Sequence, residues 1–240
     1  MEDVVNPHLP FSNFRFLKMK INLMTILLLI SAVLSTAQVD KEKLALDVSK
    51  AETENAAKLS SFIWKKKTDV KVNGDVKLTT LTEFSFDEQG KIQTKMIDAD
   101  SDVKQKPGIR GKVQQNAAGQ KLEYVGSALE LSLAYTFMSK GDLIDFFDKA
   151  TITDKGENFE VIGTNVKMQG DKLVVWVDKK TNLIVYRQFA GLLGKDPVSG
   201  EMKYEKFSSG VVHGTTSTLN LPAQNAVLES VNQDYSQRVK

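Results

Sequence analysis

The chain reads as an α+β protein built on an open, strongly curved antiparallel β-sheet with helices packed against it. Three observations predict this. An apolar stripe at helical spacing runs through residues 40–60. From Thr68 onward the hydrophobic period changes from 3.6 to 2. Turn residues then recur at intervals too short for the crossovers that a parallel sheet requires.

The N-terminal segment stands apart from that pattern. Arg15, Lys18 and Lys20 precede the apolar run Ile21 to Leu34, and Ser35-Thr36-Ala37 places small residues before a cut at Gln38. This is the signature of a secretory signal peptide over residues 1–37, with a single domain over 38–240. The run is shorter than the roughly 20 apolar residues that a membrane helix needs. No cysteine follows it for lipid attachment, so the expected product is exported, without a permanent membrane span, and resides in the periplasm or cell envelope.

Composition removes several functions. Lys+Arg 32 against Asp+Glu 30 gives a net charge of +2, which is no electrostatic footprint for nucleic acid. A chain that is 41% hydrophobic and 26% charged has a folded core and is neither disordered nor multispan. With Cys 0 there is no disulfide framework, thiol nucleophile or thiolate metal site.

Leu44, Val48, Ala51, Asn55 and Leu59 recur at helical spacing with charged residues between them, predicting a helix from Asp40 to Ser60 whose stripe lies against a sheet. Asn73-Gly74 marks a tight hairpin. Val76, Leu78, Thr80, Thr82, Phe84 and Phe86 alternate along a strand, and a turn over Asp87 to Gly90 leads into Lys91 to Ile97, a three-strand meander beginning near Asp69. Ser101 to Gln120, with Pro107-Gly108, Gly111 and Gly119, reads as a connector. Two helices follow: Ser127 to Met138, where Ser127 and Glu130 have capping-box spacing, and Asp142 to Lys149. Strands are expected at 151–153, 158–168, 172–178, 183–189, 202–208, 211–219 and 227–235, the turn over Asp196 to Gly200 among those separating them.

Searches for catalytic and metal motifs return little. The two histidines are His8, before the cut, and His213, whose neighbours alternate as on a strand face. Asp98, Asp100 and Asp102 start like a calcium loop, but Val103 and Ile109 stand where glycine and glutamate are required. Gly194-Lys195 is followed by Asp196 rather than Ser or Thr, so no phosphate loop forms. Asp142, Asp145 and Asp148 have the spacing of a solvated helix terminus. The expectation is a non-enzymatic protein without cofactor or metal.

The element order, and most closely the strand-turn-strand segment from Asp171 through Trp176, the polar turn Asp178 to Asn182 and Tyr186 to Arg187, resembles the periplasmic lipoprotein-carrier superfamily of LolA- and LolB-like proteins and their outer-membrane lipoprotein-sorting relatives. The resemblance implies an unclosed β-barrel with helices covering its concave face, binding lipid acyl chains or an acylated protein for transport and lipoprotein localisation. It implies ligand contacts from Leu78, Phe84 and Phe86 on the sheet and from Leu133, Phe137, Phe146 and Phe147 on the covering helices, with uptake and release through movement of that lid. The alternative is a cell-envelope structural or protein-interaction domain whose phenylalanines fill a closed core. A hydrolase would require His213 or one of the acids to share a cleft with a nucleophile.

Overall fold

The computed structural model describes residues 39–101, 109–207 and 209–238, with side chains omitted at 101 and 109–122. The signal-peptide segment and its cut before Gln38 lie outside these residues. Helix α1 (Lys41–Leu59) leads into strands β1 (Phe62–Val72), β2 (Asp75–Phe86) and β3 (Ile92–Ser101). Helices α2 (Ile109–Thr136) and α3 (Lys140–Lys149) follow. The remaining strands are β4 (Thr151–Lys155), β5 (Asn158–Thr164), β6 (Lys172–Asp178), β7 (Ile184–Leu193), β8 (Asp196–Lys206), β9 (Val212–Leu221) and β10 (Ala226–Gln237). They form one 10-stranded antiparallel sheet in the order β3-β2-β1-β10-β9-β8-β7-β6-β5-β4. β3 and β4 are its two edges, so the sheet does not close. The fold is the α+β class with an open antiparallel sheet that the sequence predicts.

Pairing of β1 with β10 joins the first meander to the last strand. The β1–β2 hairpin turns on Asn73 (φ 52°) and Gly74 (φ 87°), both in the left-handed region that such a turn requires. Register shifts at Val70/Lys71, Leu81/Thr82, Trp176/Val177 and Lys203/Tyr204 bend the strands locally.

Four local expectations change. The connector assigned to 101–120 is helical from Ile109 onward, because Lys112, Gln114, Gln115, Ala117, Ala118 and Gln120 are good helix formers and outweigh Gly111 and Gly119, each costing about 1 kcal/mol; Pro107-Gly108 lies outside the described residues. Ser127 and Glu130 are consequently mid-helix. The capping box is Ser139 with Asp142: Ser139 Oγ accepts from the Asp142 amide, and the Asp142 carboxylate accepts from the Ser139 amide, both at 3.1 Å. β1 begins at Phe62 rather than near Asp69, since Trp64, Lys66 and Thr68 already alternate toward one face. Residues 196–200 belong to β8, the turn being Gly194-Lys195, with Gly194 at φ 66°.

The covering helices are docked by specific contacts. On α1, Leu44, Ala45 and Val48 are buried. Asn55 then mimics a paired strand: its Nδ2 donates to the Val212 carbonyl and its Oδ1 accepts from the Val212 amide, each at 2.8 Å. On α3, Leu143, Phe146 and Phe147 are buried. Phe146 packs a ring edge on Gly163 of β5, where an added Cβ would sit 2.7 Å from Cε2 and 2.9 Å from Cδ2. Gly163→Ala is therefore expected to destabilise the protein by about 1–3 kcal/mol, as overpacking does; a urea-unfolding midpoint equal to that of the native chain would contradict this contact.

Candidate functional site

A cleft of about 410 Å³ lies between the helix-covered face of the sheet and the helices. That is within the roughly 300–1,000 Å³ range of small-molecule sites. Its wall is aromatic. Trp64 stacks between Phe84 and Tyr235, with ring centroids 5.6 Å away on either side, and meets Phe86 at 5.7 Å. From the helical side come Leu59, Leu133, Phe137, Met138 and Leu143. Phe137, 45% exposed, meets Phe86 edge-on at 6.5 Å, so the α2–α3 junction touches the sheet across the mouth.

Of the residues that the resemblance pointed to, the structure brings Phe84, Phe86, Leu133 and Phe137 together around this cleft. Leu78, Phe146 and Phe147 do not line it. Phe146 and Phe147 are buried against each other, 5.4 Å apart, where α3 meets β5.

The polar groups of the cleft were mostly hidden from sequence reasoning. Arg187, buried on β7, donates through Nη1 to the Tyr135 carbonyl at 3.0 Å and to the Thr136 carbonyl, and through Nη2 to Glu52 at 3.0 Å. The other Glu52 oxygen accepts from the Ile184 amide at 2.9 Å. The two charges thus offset each other, while Arg187 Nε is buried without a partner among the described residues and the guanidinium faces the Tyr204 ring at 5.7 Å. Among the described residues the buried Tyr204 hydroxyl has no hydrogen-bond partner, and burial pushes its pKa up to about 12.

Lys66 projects from the same face of β1 as Trp64 and Thr68. Among the described residues it has no carboxylate partner within ion-pair distance, and its ammonium sits 6.0 Å from the Phe84 ring centre. Desolvation lowers its pKa from 10.5 to about 8. Asn232 faces it in register on β10, donating to the Gly214 carbonyl at 3.1 Å while its own Oδ1 is buried without a partner among the described residues.

His213 lies at the cleft edge, its ring 3.7 Å from that of Phe207 and its Nδ1 3.2 Å from the Gly214 oxygen. Burial lowers its pKa, which keeps the imidazole neutral. No Ser or Thr hydroxyl among the described residues is hydrogen-bonded to it. Nor do the described residues contain a group of three or more His, Cys, Asp or Glu placed to hold a metal. A second, more open groove of about 710 Å³ crosses the opposite face of the sheet beside Trp176 and Tyr186; the helices do not cover it, and Glu160, Lys172, Glu201 and Lys203 line it.

No family model matches the chain, and no curated protein matches it in sequence. Solved structures with a similar arrangement include a DUF1329 family protein from Desulfovibrio piger, 13% identical, with 83% of this chain and 92% of that one covered and a TM-score of 0.39. A LolA superfamily protein from Nitrosomonas europaea is 11% identical over 80% of this chain and 94% of its own, with a TM-score of 0.35. A domain named for outer membrane lipoprotein sorting, from Vibrio parahaemolyticus, is 16% identical over 81% and 94%, with a TM-score of 0.34.

An unpaired ammonium in an apolar cleft has a consequence for stability. Below pH 8 both folded and unfolded chains carry the Lys66 proton, and the folded state bears the desolvation cost. Between about 8 and 10.5 the folded chain releases the proton first, so the unfolded state binds more protons and stability rises with pH. Lys66→Met is expected to be more stable than the native chain at pH 7, with the difference shrinking by pH 10. Tyrosine ionisation is common to both and cancels. Parallel denaturation curves at the two pH values would refute the assignment.

Proposed function

We propose that residues 38–240 form a single exported domain that holds an acyl chain in the 410 Å³ cleft and releases it without covalent change. The observation that carries this reading is the cleft itself, an aromatic-walled space between sheet and helices. Each methylene moved from water into such a space contributes about 0.8 kcal/mol, so affinity accrues from area rather than from reactive groups. Phe84, Phe86, Leu133 and Phe137 are proposed as the contacts.

Entry is proposed at the α2–α3 junction. Phe137 is half exposed and meets Phe86 only edge-on, whereas Tyr135, two residues earlier, is held rigidly by Asp171 at 2.5 Å and by stacking on Phe189 at 4.5 Å. Motion confined to residues 137–140 would open the mouth while α2 stays docked. An exported site of action in the cell envelope is supported by the basic residues Arg15, Lys18 and Lys20 ahead of the apolar run Ile21 to Leu34.

Two measurements test it. The chain has two tryptophans, one in the cleft and one, Trp176, on the opposite face. In a Trp176→Phe variant, adding an acylated peptide or a long-chain lipid is expected to change the emission of Trp64, and native mass spectrometry of the mature protein from its own envelope is expected to find a bound lipid. Phe137→Ala should weaken retention by about tenfold, the worth of one aromatic contact of about 1.5 kcal/mol, with little loss of stability. Unchanged Trp64 emission and a ligand-free mass after incubation with envelope lipids would favour a closed-core interaction domain instead.

A further inference from the structure

The charges around the cleft are not balanced. Glu52 is the one acid among the described lining residues, and it is engaged by Arg187 and the Ile184 amide. Lys140 stands at the mouth and Lys66 inside, neither facing a carboxylate of the lining. His213 is held neutral and adds no charge. The interior therefore carries one cation in excess, on a strand whose neighbouring inward side chains are Trp64 and Thr68. Thr68, the next inward residue, is hydrogen-bonded to Ser230 at 2.9 Å.

Three further polar atoms of the cleft residues are unmet among the described residues: the Tyr204 hydroxyl and Arg187 Nε, both donors, and Asn232 Oδ1, an acceptor facing Lys66 in register. Buried polar groups are nearly always paired in folded proteins, and a cluster that is not paired calls for a ligand, an ion or water. An ammonium offers three donors and no acceptor, and with the tyrosine it makes a set of donors suited to an oxyanion. The Phe84 ring face stabilises the cation without neutralising it.

Resting on the acyl-chain reading above, we propose that the cleft selects amphiphiles with an anionic head, and that Lys66, with the Tyr204 hydroxyl, is the head-group anchor. The chain lies along Trp64, Phe84 and Phe86; the head is held at depth rather than left in water at the mouth. With its pKa at about 8, Lys66 is protonated at neutral pH, and a bound anion would hold the proton more firmly. A neutral head offers no charge to offset the desolvated ammonium, so an alcohol or ester of the same chain binds less well.

The test separates the two claims. N-phenylnaphthylamine, a neutral fluorescent probe, reports on the apolar cleft alone, and displacement of this probe by dodecanoate and by dodecanol reports on the head. In the native protein dodecanoate is expected to displace the probe about tenfold more effectively than dodecanol, the typical worth of a charge-assisted hydrogen bond. In Lys66→Met the probe still binds and the two ligands become equivalent; in Lys66→Arg the preference for the acid persists. Tyr204→Phe, which keeps the ring over Arg187, reduces the preference without abolishing it. Equal displacement by acid and alcohol in the native protein, with the probe bound, overturns the head-group anchor and leaves acyl binding standing. Failure of the probe and of both ligands to bind overturns both. A preference for the acid that survives intact in Lys66→Met assigns the anchor elsewhere and refutes the proposal.

Discussion

One buried cation organises the helical cover. Arg187 reaches from β7 to the last carbonyls of α2 at Tyr135 and Thr136 and to Glu52 on α1. Terminal helix carbonyls lack intrahelical donors and carry partial negative charge, so a guanidinium there satisfies backbone groups and favours the helix dipole at once. Burying an ion pair yields little net stability, but removing either partner strands the other in a medium where an isolated charge is costly. Three elements are therefore held in one arrangement by a contact that tolerates no partial loss. The cleft exists because this contact spaces the helices from the sheet at one point while Phe146 on Gly163 sets their approach at another.

A second polar anchor works on the same helix end. Asp171, buried at the start of β6, accepts from the amides of Val166, Lys167 and Met168 at 2.6, 2.8 and 3.0 Å and from the Tyr135 hydroxyl. Burial raises its pKa, but these hydrogen bonds outweigh that and leave it lowered. The carboxylate thus stays ionised and closes the loop between β5 and β6. Tyr135 is fixed from two sides and Phe137 is not, which separates the docked end of α2 from a freer α2–α3 junction at the cleft mouth.

The sheet was largely legible in the sequence because its signals are local. Alternation in Val76 to Phe86, positive-φ candidates at Asn73-Gly74 and the strand at 172–178 are each decided within a few residues. The N-terminal half of α2 was not, since two glycines and few large apolar residues remove the periodicity on which a helix is recognised, leaving only the weak propensity of Gln, Ala and Lys. Among the cleft residues, the bulky apolar ones stood out in sequence, and Phe84, Phe86, Leu133 and Phe137 do meet. Phe146 looks the same in sequence as Phe137 yet packs on Gly163, because partner choice depends on which strand the topology brings beneath α3. Lys66 was the hardest to see. Within Lys65-Lys66-Lys67 all three look like solvated surface, and only the parity of Trp64, Lys66 and Thr68 separates the inward lysine from its neighbours.

That inward lysine is where the consistency of the structure breaks. Every level of this fold favours an apolar cleft: β-branched and aromatic strand residues, aromatic stacking around Trp64, and helices with apolar stripes. A methionine at position 66 would serve packing better and remove a desolvated charge. Local departures of this kind, costly to the folded state and uncompensated by an internal partner, are the ones that function explains. The Arg187–Glu52 pair shows the contrast within the same cleft: there the sequence supplies a carboxylate, and the cation is structural. Where it supplies none, the missing anion is left to the ligand.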